Sequence, residues 1–213
     1  MPEIMRRSRF GATITAAAAL LFLAGTMPLS AAAAACADGL IERLRQGGYV
    51  VFLRHALTEP DQQDTGVLDR RERQRNLSEA GRLQAATIGA AIRELGIPVG
   101  KVLAGPVFRA RDTAEIAFGA DAVEVTMDLV ADDYAGGGVG EMIAATRRRL
   151  AERPPAGTNT VLVGHRTPLE LVADQPFPDS LLPEGAGAVF EPLGPDGFRF
   201  LGSIKSENWC LSK

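Results

Sequence analysis

The sequence contains few of the side chains that bind transition metals or form cross-links. Its 213 residues include two cysteines and two histidines, which are Cys36, Cys210, His55 and His165. Placed this way, the four residues make no convincing zinc motif. We therefore predict neither a metal site nor a bound cofactor.

Long hydrophobic runs are also scarce. The apolar stretch at residues 16–24 follows three arginines within residues 6–9 and precedes a run of alanines at residues 31–35. It is too short to cross a bilayer, and the arrangement is typical of a secretory signal peptide. We assign residues 1–35 to the signal and residues 36–213 to one domain, which is expected to be periplasmic or secreted, with no stable membrane insertion after signal removal.

The signal leaves the export route open. Arg6 and Arg7 invite a twin-arginine interpretation, although Phe10 is displaced from the usual place. Cys36 directly follows the alanines, so lipidation is an alternative, although Ala33 stands where a lipoprotein signal normally carries leucine.

The two cysteines lie near opposite ends of the mature chain. In an oxidising compartment the natural hypothesis is a disulfide between Cys36 and Cys210. The alternatives are two unpaired thiols or a lipidated Cys36.

Positive charge is not in excess. The net charge is −3, and it falls to −5 when Glu3 and the three arginines of the signal are removed. Such an acidic chain is a poor general binder of nucleic acid or anionic lipid, and we predict no nucleic-acid partner. Any phosphate binding must therefore come from a local cluster of arginines.

Both histidines follow apolar, β-branched runs. Residues 49–53 lead into Arg54 and His55, and residues 160–164 lead into His165. These runs predict two buried, parallel strands. Because ligands bind at the carboxyl ends of strands in open α/β sheets, the two histidines are predicted to mark a site.

Strand-like and helix-like segments mostly alternate along the domain. The predicted helices cover residues 37–46, 77–95 and 142–150, with two more beginning near Arg109 and at Thr167. Further strands are predicted at residues 101–104 and 123–127, and a hairpin at residues 189–204. This order predicts an α/β fold, a three-layer α/β/α sandwich with a mostly parallel sheet and an antiparallel edge.

Two local details complete the secondary-structure prediction. Leu83 is expected on the buried stripe of the helix that Ser78 caps. Thr167 is expected to cap the helix after His165, with Pro168 in its first position and Glu170 completing a capping box.

The residue types at the strand ends predict phosphoryl transfer. Arg109 falls in the first turn of a helix, where the dipole disfavours a cation, so an anion is expected nearby. Arginine forks hold phosphoryl oxygens, and a neutral imidazole can attack phosphorus to give a phosphohistidine. The expected partner is a small phosphorylated substrate, and arginines supply the positive charge without a metal.

Four segments, in order, resemble the motifs of the histidine phosphatase superfamily, the phosphoglycerate mutase-like proteins. They are Leu53-Arg54-His55-Ala56 and residues 76–85, 105–114 and 161–165. The resemblance implies that His55 is the nucleophile and that Arg54, Arg109 and His165 hold the phosphoryl group. Two residues depart from the pattern, since Ala56 replaces the usual glycine and Gly105 stands where serine is common.

The resemblance leaves the proton donor open. The family's Leu-x-Glu segment corresponds here to residues 129–133, which end in two aspartates. We expect Asp132 to protonate the leaving alcohol, with Asp133 and then Glu59 as alternatives. Burial would have to raise the pKa of the donor to keep it protonated near neutral pH.

Other charged residues have more than one interpretation. The arginine-rich cluster at residues 70–75 either guides an anionic substrate or is a solvated surface, and the second is preferred. Asp61 and Asp64 are candidates for acid chemistry. Arg166 either reads an extra negative charge on the substrate or faces solvent.

Together these features predict an exported, metal-independent phosphomonoesterase that works through a phosphohistidine. The alternative is a non-catalytic phosphate-binding or envelope interaction protein on a phosphatase scaffold, which the uncertain donor and Gly105 sustain.

Overall fold

The computed structural model describes residues 36–210, so the predicted signal at residues 1–35 lies outside the described residues. Its centre is a six-stranded sheet in the order β3-β2-β4-β1-β5-β6. The strands are β1 Val50–Arg54, β2 Val99–Ala104, β3 Val123–Val125, β4 Asn159–Gly164, β5 Gly187–Gly194 and β6 Gly197–Ile204. The first four pair in parallel, whereas β5 is antiparallel to β1 and β6 is antiparallel to β5.

Within residues 36–210, five α-helices cover the two faces of this sheet. They are α1 Asp38–Gln46, α2 Glu79–Glu94, α3 Phe108–Phe118, α4 Val139–Ala151 and α5 Arg166–Ala173. Alternate residues of β1 serve different faces: Val51 and Leu53 pack with α1, α2 and α3, whereas Val50 and Phe52 pack with α4 and α5. The predicted three-layer sandwich with an antiparallel edge is confirmed.

The pairing of β1 with β4 places the two histidines side by side. Arg54 is the register partner of Gly164, so the next residues are His55 and His165. The backbone N–H of His55 also donates to the carbonyl of Gly164 at 3.0 Å. The strand-end prediction for both histidines therefore holds.

Helix α2 has the predicted start but a narrower buried face. The hydroxyl of Ser78 accepts a hydrogen bond from the backbone N–H of Gly81 at 3.0 Å, as expected of an N-cap. The expectation for Leu83 is wrong, since this residue is 70% exposed. At Gly81 and Gly89 the backbone of α2 instead packs directly on the backbone of other segments. A Cβ at Gly89, for example, would lie 2.1 Å from the carbonyl oxygen of Ala117.

The predicted capping box of α5 does not form. The helix begins at Arg166, directly after His165 as N-cap, and no side chain caps it. Glu170 instead accepts a hydrogen bond from the backbone N–H of Phe177 at 2.8 Å, which ties the following segment to the helix. The short step from β4 into α5 leaves no turn in which Thr167 could act as the cap.

The two ends of the described chain are joined. Cys36 and Cys210 form a disulfide across a sequence separation of 174, as the sequence suggested. The backbone N–H of Ala37 also donates to the carbonyl of Asn208 at 3.3 Å. Among the helices of residues 36–210, none is both long enough and apolar enough to span a bilayer.

Replacing both cysteines, Cys36→Ser with Cys210→Ser, should lower the free energy of unfolding by up to roughly 4–5 kcal/mol, because a long loop is no longer closed in the unfolded chain. Urea unfolding of the wild type and the double variant measures this loss. A reductant should lower the wild-type midpoint and leave that of the variant unchanged. Equal midpoints for the oxidised wild type and the variant would contradict the expectation.

Candidate active site

The two histidines lie next to each other at the carboxyl edge of the sheet. Their ring centroids are 5.2 Å apart, and both side chains are buried. They line a cavity of about 230 Å³. Arg54, Arg109 and Arg166 contribute to the same cavity, which therefore combines two imidazoles with three guanidinium groups.

The ring of His55 is held in one tautomer. Its Nδ1 lies 2.9 Å from the carbonyl oxygen of Ala56, and because that oxygen can only accept, Nδ1 carries the proton. Burial has the largest effect on the pKa of His55, and the positive charges of Arg109, Arg54 and Arg75 act in the same direction. The hydrogen bond to Ala56 raises the pKa, but the net result is a pKa lowered to about 3. Nε2 is thus left with a free lone pair on a neutral ring.

Several buried N–H donors near His55 have no hydrogen-bond partner within residues 36–210. They include Nε of Arg54 and Nε of Arg75. Neither ring nitrogen of His165 has a partner either, and in the neutral ring one of the two carries a proton. Burial, followed by the charges of Arg109 and of neighbouring groups, lowers the pKa of His165 well below its ordinary value. Unsatisfied buried donors are costly, and an anion bound among them would satisfy them.

Arg109 is fixed by Asp64. One carboxylate oxygen of Asp64 accepts from Nη1 of Arg109 at 2.8 Å, from the hydroxyl of Tyr134 at 2.6 Å and from the backbone N–H of Arg75 at 3.0 Å. Partial burial raises the pKa of Asp64, but these hydrogen bonds and Arg109 outweigh it and lower the pKa overall. Asp64 is therefore ionised and unsuited to proton donation.

The end of β1 is also anchored to helix α3, which carries Arg109. The hydroxyl of Thr113 accepts from the backbone N–H of Ala56 at 2.9 Å and donates to the carbonyl of Arg109 at 2.7 Å. This buried hydroxyl fixes the distance between the strand that carries His55 and the helix turn that carries Arg109.

Of the predicted proton donors, two line the cavity. They are Asp132 and Asp133, which belong to a short 3₁₀ turn, Asp132–Tyr134. Partial removal from water raises the pKa of Asp133, Arg109 opposes this, and the charges of Asp64 and Asp132 add to the increase. Glu59 and Asp61 are not among the residues that line the cavity.

Gly105 departs from the expected serine for a steric reason. A Cβ on Gly105 would lie 2.3 Å from the carbonyl oxygen of Leu129. Real Cβ atoms do not approach so closely, so the missing side chain is what lets the segment that leads to Asp132 pass over the end of β2.

Comparison with known proteins covers most of the segments that form this cavity. A family model described as the histidine phosphatase superfamily (branch 1) matches residues 50–155. The chain belongs to the histidine phosphatase superfamily. A search of curated proteins found no matching sequence.

Solved structures of several phosphatases share the fold. The protein histidine phosphatase SixA complexed with tungstate aligns with a TM-score of 0.53 at 16% identity, over 75% of this chain and 98% of that one. A protein of Escherichia coli K-12, assigned as an alpha-ribazole-5'-P phosphatase, gives 0.54 at 14% identity, over 78% and 100%. The mycobacterial glucosyl-3-phosphoglycerate phosphatase in complex with VO3 gives 0.50 at 18%, over 73% and 98%.

The arginines at residues 70–75 have different surroundings in the structure. Arg71 pairs with Asp112, with 2.9 Å between Nη2 and Oδ1, and stacks over the ring of Phe108. Arg75 instead turns towards the site, where its charge lowers the pKa of His55. The sequence left two interpretations of the cluster open, guidance of an anionic substrate and the preferred solvated surface. The side chain of Arg75 has features of both, since it is 41% exposed but its Nε is buried.

Gly105→Ala should destabilise the folded protein by about 1–3 kcal/mol, since the new methyl group forces the backbone at Leu129 to move. Gly140→Ala is the matched control, because a Cβ at Gly140 in helix α4 meets no atom within 4 Å. The control should be neutral or more stable by up to about 1 kcal/mol. Urea unfolding measures both, and equal effects would contradict the steric account.

Proposed function

We propose that this histidine phosphatase is an exported phosphomonoesterase that hydrolyses its substrate through a phosphohistidine at His55. The observation that carries the proposal is the state of His55: a buried, neutral imidazole with its proton held on Nδ1 beside donors that have no partner. A lone pair on Nε2 next to an anion site is what nucleophilic attack on a phosphate ester requires.

In the first step, Nε2 of His55 attacks phosphorus. The N–P bond forms as the ester P–O bond breaks, and the departing oxygen takes a proton from a carboxylic acid. Arg54, Arg109 and His165 hold the phosphoryl oxygens, and the N–H of Arg75 adds a further donor. The arginine charges stabilise the negative charge that spreads over these oxygens.

In the second step, water attacks the phosphohistidine. The carboxylate that gave its proton to the alcohol accepts one from the water as the new O–P bond forms. The N–P bond then breaks and its electron pair returns to Nε2, while the proton on Nδ1 stays in its bond to Ala56. Phosphate leaves, and both the imidazole and the acid return to their starting states.

Either aspartate of the short turn fits the acid role. Asp132 is the donor that the sequence favoured, and both residues line the cavity. The raised pKa of Asp133 favours Asp133, because a donor must hold its proton at the working pH. The ionised state of Asp64 supports assigning Asp64 to Arg109 instead.

Export is proposed from the signal-like residues 1–35 together with the disulfide. Disulfides persist in oxidising compartments, which supports a periplasmic or secreted protein. A Cys36 thiol that is bonded to Cys210 is not free to carry a lipid, so the disulfide favours the unlipidated form.

Replacing the nucleophile, His55→Ala, should reduce hydrolysis of p-nitrophenyl phosphate by roughly three orders of magnitude or more. Chelator should not affect the wild type if arginines alone supply the charge. Rapid quenching with labelled substrate should trap an acid-labile, alkali-stable phosphoenzyme in the wild type and none in the variant. Circular dichroism checks that the variant is folded. If the folded variant turned over substrate as fast as the wild type, the mechanism would be contradicted. If the wild type bound phosphate but turned over no substrate, a non-catalytic scaffold would be favoured.

The proton donor should reveal itself through the leaving group. Nitrophenolate departs without protonation, whereas an alkoxide does not, so loss of the donor should slow glycerol 2-phosphate far more than p-nitrophenyl phosphate, by roughly 100-fold or more. We expect this selective loss for Asp133→Asn and a smaller one for Asp132→Asn.

The pH profile provides a second check on the donor. Wild-type activity on the alkyl ester should fall as the pH rises through the raised pKa of Asp133, because the donor loses its proton. The imidazole of His55 stays neutral down to about pH 3, so it imposes no loss at mildly acidic pH. An unchanged alkaline limb in Asp133→Asn would assign the donor elsewhere.

A further inference from the structure

Arg166 is a cation in the cavity beyond those assigned to the phosphoryl group. It is the first residue of α5 and directly follows His165. Its side chain is about one-third exposed, at 32%, and lines the same cavity as both histidines. Nη1 of Arg166 donates to Oδ1 of Asp179 at 2.7 Å, and Nε lies 3.9 Å from Oε1 of Glu170.

The partner of Arg166 is an exposed carboxylate that bridges two arginines. Asp179 lies in the segment between α5 and β5, and its side chain is 70% exposed. The same Oδ1 also accepts from Nη1 of Arg54 at 2.6 Å. The hydrogen bond from Arg54, then the charges of both arginines, lower the pKa of Asp179, so it is an anion.

The other arginines of the site already have buried or partly buried carboxylates beside them. Arg109 is held by Asp64, and Glu184 lies 3.9 Å from Nη2 of Arg54 and 3.5 Å from Nη2 of Arg75. Arg166 likewise has the partly buried Glu170 3.9 Å from its Nε, but its hydrogen bond goes to Asp179, a carboxylate that water surrounds on most sides. An exposed ion pair of this kind contributes little net free energy, so a better-placed anion can replace it.

We propose that Arg166 determines specificity by binding a carboxylate of the substrate, and that Asp179 holds this position in the free protein. The inference rests on the proposed function, since it names the substrate class of that site: phosphomonoesters that carry a carboxylate close to the ester. The group chosen is a carboxylate because a carboxylate already occupies the position between Arg54 and Arg166.

Binding of unreactive ligands tests this without turnover. Phosphonoacetate carries a phosphonate and a carboxylate, and phosphonoacetamide replaces only the carboxylate with a neutral amide of similar shape. Isothermal titration gives the ratio of their affinities for each protein. We expect the wild type to favour the acid by roughly fivefold, the range of a partly exposed ion pair. 3-Phosphonopropanoate and its amide repeat the comparison with a longer spacing.

Three variants assign the preference to residues. Arg166→Gln should bring the acid-to-amide ratio to about one. Asp179→Asn should raise the ratio by a further fivefold or so, because the competing carboxylate is removed. In the double variant the acid-to-amide ratio should stay near one, because removing Asp179 can favour the acid only while Arg166 is present to bind it. Glu191→Gln is the matched control. Glu191 pairs with Arg199 on the β5–β6 hairpin, where Nε of Arg199 donates to Oε2 of Glu191 at 2.9 Å, so this substitution should leave the ratio unchanged.

The outcomes separate this inference from the proposed function. The inference is overturned if the wild-type acid-to-amide ratio is near one for both spacings, or if Arg166→Gln leaves the ratio unchanged. In either case, hydrolysis of p-nitrophenyl phosphate by the wild type would still support the phosphatase. An equal gain for acid and amide in Asp179→Asn also overturns it, because Asp179 would then act on every anion. A carboxylate preference that Arg166→Gln removes supports the inference even if the wild type hydrolyses no ester.

Discussion

The parallel pairing of β1 with β4 is the constraint on which the site depends. It sets Arg54 opposite Gly164 and so brings His55 and His165 into contact. Because side chains alternate between the faces of a strand, a slip of one residue would exchange the core residues of β1 and separate the two rings. The register is fixed by burial on both faces, where Val51 and Leu53 serve one core and Val50 and Phe52 the other.

Around this pair, burial and positive charge act in the same direction. Both imidazoles are removed from water and surrounded by arginines, and both have a lowered pKa. A histidine that is neutral when folded but protonates when unfolded stabilises the protein above its unfolded pKa, and that contribution is lost as the pH falls. For His55 the loss spans the interval from about 6.5 down to about 3. The arrangement that keeps Nε2 available therefore makes the folded state sensitive to acid.

The sequence was most informative where chemistry coincides with a regular element. His55, His165 and Arg109 could be located because each lies at the end of a strand or the start of a helix, and the order of elements gave the sandwich. Asp64 and Arg75 lie in the long loop after β1, whose path depends on contacts with α3 and with the turn of Tyr134. No periodic pattern encodes such contacts.

Local signals failed where tertiary packing overrode them. The cap signal at Thr167 was overridden because β4 leads directly into α5, and Leu83 is exposed because α2 approaches its neighbours through glycines instead. The glycine at position 105 is likewise explained only by tertiary structure, because a side chain there would collide with the backbone of Leu129.

The bond between Cys36 and Cys210 turns the folded domain into a covalent ring. A single peptide cleavage anywhere between these residues, for instance in the exposed loop after β1, opens the ring but leaves both pieces in one molecule. The pieces cannot diffuse apart, so native packing can re-form around the cut. In an oxidising compartment, where the disulfide persists, one such cleavage would leave a two-piece protein with new termini at the cut and its original ends held together by the disulfide.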